Sequence, residues 1–211
     1  MMDIANALYH AQSDELENLI SKDSFLANQP IALPDNPATA HPLHRLCDAV
    51  RSGLYVEDKA VALAKILLRG GANLNGNRKP GEDSPLTAAC SLQCDELALY
   101  YIEQGADIEH QGCHGGTALH WSAWCGRDRL VKHLAPMVND INKLCIDYKS
   151  TPLFWAIHGL KFAGRENQYH QAECARILIQ HGADQSIPNF EGYLPIQLLD
   201  SEDTELKKLF S

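Results

Sequence analysis

The sequence has 211 residues, 45% of them hydrophobic, which is enough apolar material to build a buried core. Asp and Glu outnumber Lys and Arg by 27 to 18, for a formal net charge of −9, so a nucleic-acid partner is not expected. The seven cysteines are odd in number and scattered along the chain, which predicts reduced thiols and not a secreted disulfide framework.

The N-terminal segment is predicted to form two short helices over residues 3–21, because apolar residues recur there at helical spacing. The two apolar stripes are Ile4, Leu8 and Tyr9, and then Leu16, Leu19 and Ile20. The segment that follows carries three prolines between residues 30 and 37, and it is therefore predicted to be a loop.

A four-residue opening recurs along the rest of the chain. Its copies are His41-Pro42-Leu43-His44, Ser84-Pro85-Leu86-Thr87, Thr117-Ala118-Leu119-His120, Thr151-Pro152-Leu153-Phe154 and the weaker Leu194-Pro195-Ile196-Gln197. Their second positions are separated by 43, 33, 34 and 43 residues. A fixed period of about 33 residues indicates a repeat architecture.

A second pattern closes these units, with glycine followed by alanine and then by an acidic or amide residue. Its clear copies begin at Gly71, Gly105 and Gly182. Each glycine is expected to end a helix in a left-handed conformation, and each Ser or Thr of the opening is expected to cap the next helix. A histidine in the opening, such as His44 or His120, is expected to bridge backbone groups of neighbouring units.

These two patterns, in register, resemble those of the ankyrin-repeat family, directly over about residues 36–199. The resemblance implies an all-α ankyrin-repeat solenoid of about five to six stacked helix-turn-helix units with hairpin loops. A single domain over residues 1–211 is predicted, because one unit is too thin to bury its own apolar face. Its predicted units are an N-terminal capping unit at 1–35, repeats at 36–76, 77–110, 111–143 and 144–187, and a C-terminal capping unit at 188–211.

The sequence departs from the family pattern in several places. Gln93 stands where the family usually has glycine, and Val138-Asn139 replaces the expected closing pattern of the fourth unit. Insertions of about ten residues, near Ser52–Asp58 and Lys161–Tyr169, fall between paired helices. Each insertion is either a shaped surface for a partner or a tolerated loop.

The resemblance implies a non-enzymatic protein-protein interaction module that binds a protein partner on the concave face, as a monomer and without a cofactor. The implied contact residues are Glu82, Asp83, Ser91, Leu92, Gln111, Cys113, His114, Trp124, Cys125, Asp147, Tyr148, Lys149, His158, Phe190, Glu191 and Tyr193. Four of them, Trp124, Tyr148, Phe190 and Tyr193, form a predicted aromatic ladder that serves either binding or packing between hairpins. Trp121 and Trp155 are expected in the core.

The alternative is an enzyme or a metal-dependent protein that uses Cys and His groups on the repeat surface. Cys90 and Cys94, with His110, Cys113 and His114, carry zinc-ligand chemistry, but repeat geometry is expected to hold them apart. Cys125 with His158 would be a nucleophile and base, but the sequence shows no residue to orient the base. Neither a metal site nor a catalytic residue is therefore predicted.

A cytoplasmic location is expected, because the N-terminus shows no signal peptide and no apolar run reaches the ~20 residues of a membrane span. The acidic C-terminal segment followed by Leu206-Lys207-Lys208-Leu209-Phe210 is also similar to the tail signals of bacterial type IV secretion substrates. Export of an effector into a host cytoplasm is thus an alternative, although a capping helix would have the same sequence features.

Overall fold

The computed structural model of the protein describes residues 3–34, 36–77, 81–163 and 168–210. Contacts divide the chain into two compact units, one of residues 1–79 and 83–107 and the other of residues 80–82 and 108–211. Both units are built mainly from helices, which confirms the predicted all-α class. No described helix combines the length and the apolar character that a membrane crossing requires.

The first unit contains three helix pairs. The pairs are α1 (Ile4–Tyr9) with α2 (Ser13–Lys22), α3 (Pro42–Arg51) with α4 (Glu57–Arg69), and α5 (Pro85–Ser91) with α6 (Asp95–Glu103). Helix α2 packs on α4, α3 on α5 and α4 on α6, so the pairs stack in sequence order. Leu16, Leu43, Leu63 and Leu97 are completely buried in this unit. Neighbouring pairs therefore complete the core, as expected for thin repeats.

The prediction of a loop after α2 was wrong. The segment contains a 3₁₀ helix, Ser24–Asn28, and an antiparallel pair of strands, β1 (Ile31–Leu33) and β2 (Asn36–Ala40). The buried Arg45 of α3 fastens this hairpin, because its guanidinium donates to the backbone oxygens of Ile31 and Ala38 and pairs with Asp48. A buried guanidinium is tolerated there because these acceptors satisfy it.

The second unit contains two full helix pairs and a final short segment. The pairs are α7 (Ala118–Trp124) with α8 (Asp128–Leu134) and α9 (Pro152–Phe162) with α10 (Gln168–Gln180), followed by a 3₁₀ helix, Pro195–Leu198, and by α11 (Thr204–Lys207). Helix α7 packs on α9, α8 on α10, and α9 on the 3₁₀ helix. Helix pairs thus stack in this unit as in the first.

The recurrent patterns act at helix ends as the sequence predicts. Ser84 Oγ accepts a hydrogen bond from the backbone N–H of Thr87 at 3.1 Å, and Thr151 Oγ1 accepts one from that of Phe154 at 3.2 Å. A proline occupies the first turn of both helices, where no N–H partner is needed. Gln93 adopts the left-handed φ of 63° that a glycine would adopt more easily.

Some predicted features lie wholly or partly outside the described residues. The predicted third repeat at 77–110 includes residues 78–80, and the predicted insertion at 161–169 includes residues 164–167. The first insertion is described, and it is a short loop that ends where α4 begins at Glu57. The boundaries of the individual repeats stay predictions.

His120 has the predicted bridging role between two neighbouring repeats of the second unit. Its imidazole is completely buried, and Nε2 donates to the backbone oxygen of Ser150 at 3.2 Å, since a carbonyl oxygen can only accept. Nδ1 is then the acceptor, and it lies 3.2 Å from the backbone nitrogen and 2.9 Å from Oγ1 of Thr117. Burial lowers the pKa of His120 from 6.5 to about 4, so the ring is neutral at pH 7.

We predict that the protein loses stability as the pH falls from 6.5 to 4. The unfolded chain binds the His120 proton near pH 6.5, whereas the folded chain resists it until about pH 4, so protonation favours unfolding. The expected loss from this group is roughly 3 kcal/mol. Urea unfolding at several pH values measures it.

The variant His120→Gln is the matched control, since glutamine does not titrate in this range. It is expected to be less stable at pH 7 but to show a flatter pH dependence. Some dependence remains, because burial also lowers the pKa of His41 to about 4. Parallel curves for the variant and the wild type would contradict the assignment.

Candidate aromatic binding cavity

A cavity of about 640 Å³ opens in the second unit. Eight of its fifteen lining residues are Trp, Tyr or Phe, and all three tryptophans of the sequence are among them. The lining residues are His114, Trp121, Trp124, Tyr148, Ser150, Phe154, Trp155, His158, Phe162, Asn189, Phe190, Glu191, Tyr193, Gln197 and Leu198. Its volume falls within the range of roughly 300–1,000 Å³ that is typical of ligand sites.

Helices α7 and α9 supply most of the walls. On α7, Trp121 and Trp124 are three residues apart and therefore share a face of the helix. On α9, Phe154, His158 and Phe162 recur every fourth residue, which places them in a row along one face. Because α7 packs on α9, the two aromatic faces meet and enclose the cavity between them.

Two loops complete the rim with exposed rings. The backbone N–H of Phe190 donates to the backbone oxygen of Tyr148 at 2.9 Å, and the two rings lie 6.3 Å apart. Asn189 Oδ1 accepts hydrogen bonds from the backbone N–H groups of Glu191 and Tyr193 at 3.1 and 2.9 Å. These bonds fix the loops, so the rim is shaped by backbone hydrogen bonding as well as by ring contacts.

The three tryptophans pack edge to face. The Trp121 ring lies 5.0 Å from that of Trp155 at 87° and 6.2 Å from that of Trp124 at 82°. This geometry is favourable because the positive edge of one ring meets the negative face of another. Trp121 Nε1 is buried and has no hydrogen-bond partner among the described residues, so no such bond from these residues orients this side chain.

A glycine permits the close approach of the two helices. A Cβ atom on Gly159 of α9 would lie 2.3 Å from the backbone oxygen of Trp124 on α7. Real side chains do not make such a contact, so any other residue at this position would push α9 away from α7. Gly159 therefore sets the spacing of the cavity walls.

Besides its aromatic rings, the lining includes two histidines, one glutamate and three uncharged polar residues. Trp124 Nε1 donates to His158 Nδ1 at 3.3 Å, and partial desolvation lowers the pKa of His158, so this imidazole is neutral at pH 7. His114 Nδ1 lies 3.0 Å from a carboxylate oxygen of Asp147. Glu191 is exposed and forms no ion pair with another described residue. The described lining includes neither lysine nor arginine.

The structure brings seven of the predicted contact residues together at this cavity. They are His114, Trp124, Tyr148, His158, Phe190, Glu191 and Tyr193. The four rings of the predicted aromatic ladder therefore all line this cavity. Its loop members are exposed by 42% at Tyr148, 60% at Phe190 and 51% at Tyr193.

Other predicted contact residues of the second unit have different surroundings. The prediction of an exposed Cys125 is corrected, because that side chain is only 3% exposed at the end of α7. Gln111 supports the loops, since its Nε2 donates to the backbone oxygens of Gly115 and Leu144 at 2.8 and 3.0 Å. Asp147 holds His114, as described above.

The remaining predicted contact residues do not line the cavity. Lys149 is exposed with a left-handed φ of 49°, Cys113 is half-buried in the 3₁₀ helix Cys113–Gly115, and Glu82 is exposed. Asp83, Ser91 and Leu92 belong to the first unit, where they are half-buried. Whether these residues contact a partner stays a prediction.

Several cavity residues were missed from the sequence. The sequence predicts Trp121 and Trp155 in the core. Trp155 is only 6% exposed, whereas Trp121 is half-buried, and both rings form part of the wall. Phe162 is 64% exposed and was read as part of an insertion. Phe162 follows His158 by four residues on an apolar helix, so the two side chains share one face. This spacing could have predicted that Phe162 lies in the cavity wall.

The cysteines Cys90, Cys94 and Cys125 of the alternative interpretation are all buried. Cys90 and Cys94 are completely buried in the first unit. Within the described ranges, no three His, Cys, Asp or Glu side chains are grouped so that they could hold a metal ion. Burial closes Cys125 to substrate, and His158 Nδ1 accepts from Trp124.

Comparison with known proteins identifies the repeats. The family model described as ankyrin repeats (3 copies) matches residues 46–147. The chain is also similar to palmitoyltransferase ZDHHC13 of Mus musculus, at 34% identity over 106 residues, and to that of Homo sapiens, at 33% identity over 106 residues. The match covers 50% of this chain but only 15% of each of these relatives.

We predict that Gly159→Ala destabilises the protein. Helix propensity alone would favour alanine by about 1 kcal/mol, but the clash with the Trp124 carbonyl is expected to reverse the sign and to lower the free energy of unfolding by about 1–3 kcal/mol. Urea unfolding followed by circular dichroism measures this change.

The control is Gly53→Ala in the loop after α3. Its added Cβ meets no atom within 4 Å, so only the left-handed φ of 73° opposes it, at about 1 kcal/mol. If Gly159→Ala were as stable as the wild type, the proposed spacing role of this glycine would be refuted.

Proposed function

We propose that this chain, which belongs to the ankyrin-repeat family, is a protein-binding module whose aromatic cavity receives a segment of a partner protein. The observation that carries the proposal is the set of exposed rings around one concave site. Tyr148, Phe162, Phe190 and Tyr193 are between 42% and 64% exposed and line the same cavity. Rings exposed together in this way mark interaction sites, since exposure costs hydrophobic free energy.

The composition of the cavity also supports binding of a protein segment. Trp and Tyr are the side chains most often found to dominate the energy of protein interfaces. Trp121, Trp124 and Trp155 form a packed inner wall, and Tyr148 and Tyr193 lie at the exposed rim. A packed inner wall with an accessible rim is the arrangement in which one inserted side chain becomes fully desolvated.

We further propose that the module acts without catalysis. The similar relatives are named palmitoyltransferases, but the match spans 15% of their length, so it supports a shared repeat region and carries no transfer chemistry to this chain. Cytoplasmic location and export as an effector both stay predictions. In the C-terminal segment, Leu206 of α11 is only 7% exposed, as expected of a capping helix.

The test is capture of partners from a lysate of the source cell by immobilised protein, followed by affinity measurement with the purified partner. Trp124→Ala and Tyr148→Ala are expected to weaken binding by about thirtyfold, the effect of removing an interface residue worth about 2 kcal/mol. Circular dichroism establishes that each variant remains folded.

Phe25→Ala is the matched control. Phe25 is an aromatic residue that is 75% exposed, but it belongs to the first unit and lies outside the cavity. Its substitution is expected to leave binding unchanged. If both cavity variants retained every captured partner with unchanged affinity, the proposed function would be wrong.

A further inference from the structure

The inner wall of the cavity contains three tryptophan rings that differ in orientation. The Trp121 plane is nearly perpendicular to the planes of Trp124 and Trp155, at 82° and 87°. The face of an aromatic ring is electrostatically negative and attracts a cation, most strongly when the ring is tryptophan. A corner made of three such rings is therefore suited to a positively charged group.

The charges around the cavity favour the same occupant. Glu191 contributes a carboxylate that forms no ion pair with any residue of the described ranges. His158 is neutral, because its Nδ1 accepts the Trp124 N–H and because desolvation lowers its pKa. The described lining offers no lysine or arginine that would repel a cation or attract an anion. The charged residues of the described lining therefore favour a cation over a phosphate or a carboxylate.

The cost of removing water from the cation determines which positively charged group the cavity favours. An unmodified lysine ammonium is compact and strongly hydrated, so burying it among rings carries a large desolvation cost. Methylation keeps the charge and adds apolar surface, which lowers that cost. A quaternary ammonium can therefore gain both the electrostatic attraction of the rings and the hydrophobic contact with them.

We infer that the aromatic cavity binds a trimethylated lysine side chain of a partner protein, with the ammonium group against the tryptophan corner and near Glu191. This inference rests on the proposed function, which it makes specific. The cavity volume of about 640 Å³ exceeds what one quaternary ammonium fills. The exposed rim of Tyr148, Phe190 and Tyr193 then contacts residues that flank the modified lysine.

The test is calorimetric titration of the purified full chain with three short peptides of Gly and Ser around one central residue. The central residue is trimethyllysine, unmodified lysine, or a neutral analogue in which carbon replaces the quaternary nitrogen. The trimethyllysine peptide is expected to bind at least about tenfold more tightly than either of the others. The neutral analogue has the same shape, so equal binding of it would overturn the inference, as would no binding of any peptide.

Variants of the chain locate the binding. Trp124→Ala is expected to abolish binding of the trimethyllysine peptide, and Trp124→Phe to retain part of it because a ring face remains. Glu191→Gln, which keeps the shape and removes the charge, is expected to lower the affinity for this peptide but not for the neutral analogue. The control Phe25→Ala is expected to bind like the wild type. Unchanged affinity in Trp124→Ala would overturn the inference.

Free choline distinguishes a protein segment from a small molecule as the source of the cation. Choline is expected to bind more weakly than the trimethyllysine peptide, since it lacks the flanking residues; equal or tighter binding would overturn the assignment to a protein side chain.

The results also separate a failure of this inference from a failure of the proposed function. If the neutral analogue binds as tightly as the trimethyllysine peptide, while Trp124→Ala still loses its captured partner, this inference fails and the proposed function stands. If that variant keeps every partner, the proposed function itself fails.

Discussion

The packing of α7 against α9 is the contact on which the second unit depends. Neither helix can bury its apolar face alone, so each requires the other. Gly159 lets the α9 backbone reach the Trp124 carbonyl, and His120 of α7 binds the backbone oxygen of Ser150 just before α9. The first contact sets the distance between the helices, and the second joins α7 to the loop that leads into α9.

The same contact produces the candidate site. Trp155 belongs to the core and is only 6% exposed, yet one side of its ring faces the cavity beside Trp121. Some side chains therefore belong both to the core of the second unit and to the wall of the candidate site. The loop rings are different, because Phe190 and Tyr193 remain more than half exposed, and their exposure costs free energy that partner binding would recover.

The sequence correctly predicted the features that recur in several repeats, because the same local interactions produce them each time. The capping Ser84 and Thr151 and the left-handed Gly105 follow from local backbone chemistry, so the sequence alone predicted the helix pairs. The β1–β2 hairpin was missed because no local pattern shows the hydrogen bonds that it receives from Arg45, a side chain outside the hairpin. Half of the cavity was also missed, because a periodic pattern marks Trp155 as buried but does not show what its other side faces.

The central claim is that a partner occupies the space between the aromatic faces of α7 and α9. The sequence has three tryptophans and all of them line that space, so fluorine labelling with 5-fluorotryptophan yields three reporters of the cavity. Fluorine NMR during titration with the unlabelled captured partner is the most direct measurement. The account predicts that all three resonances shift as the complex forms. Three unchanged resonances at saturating partner would contradict it.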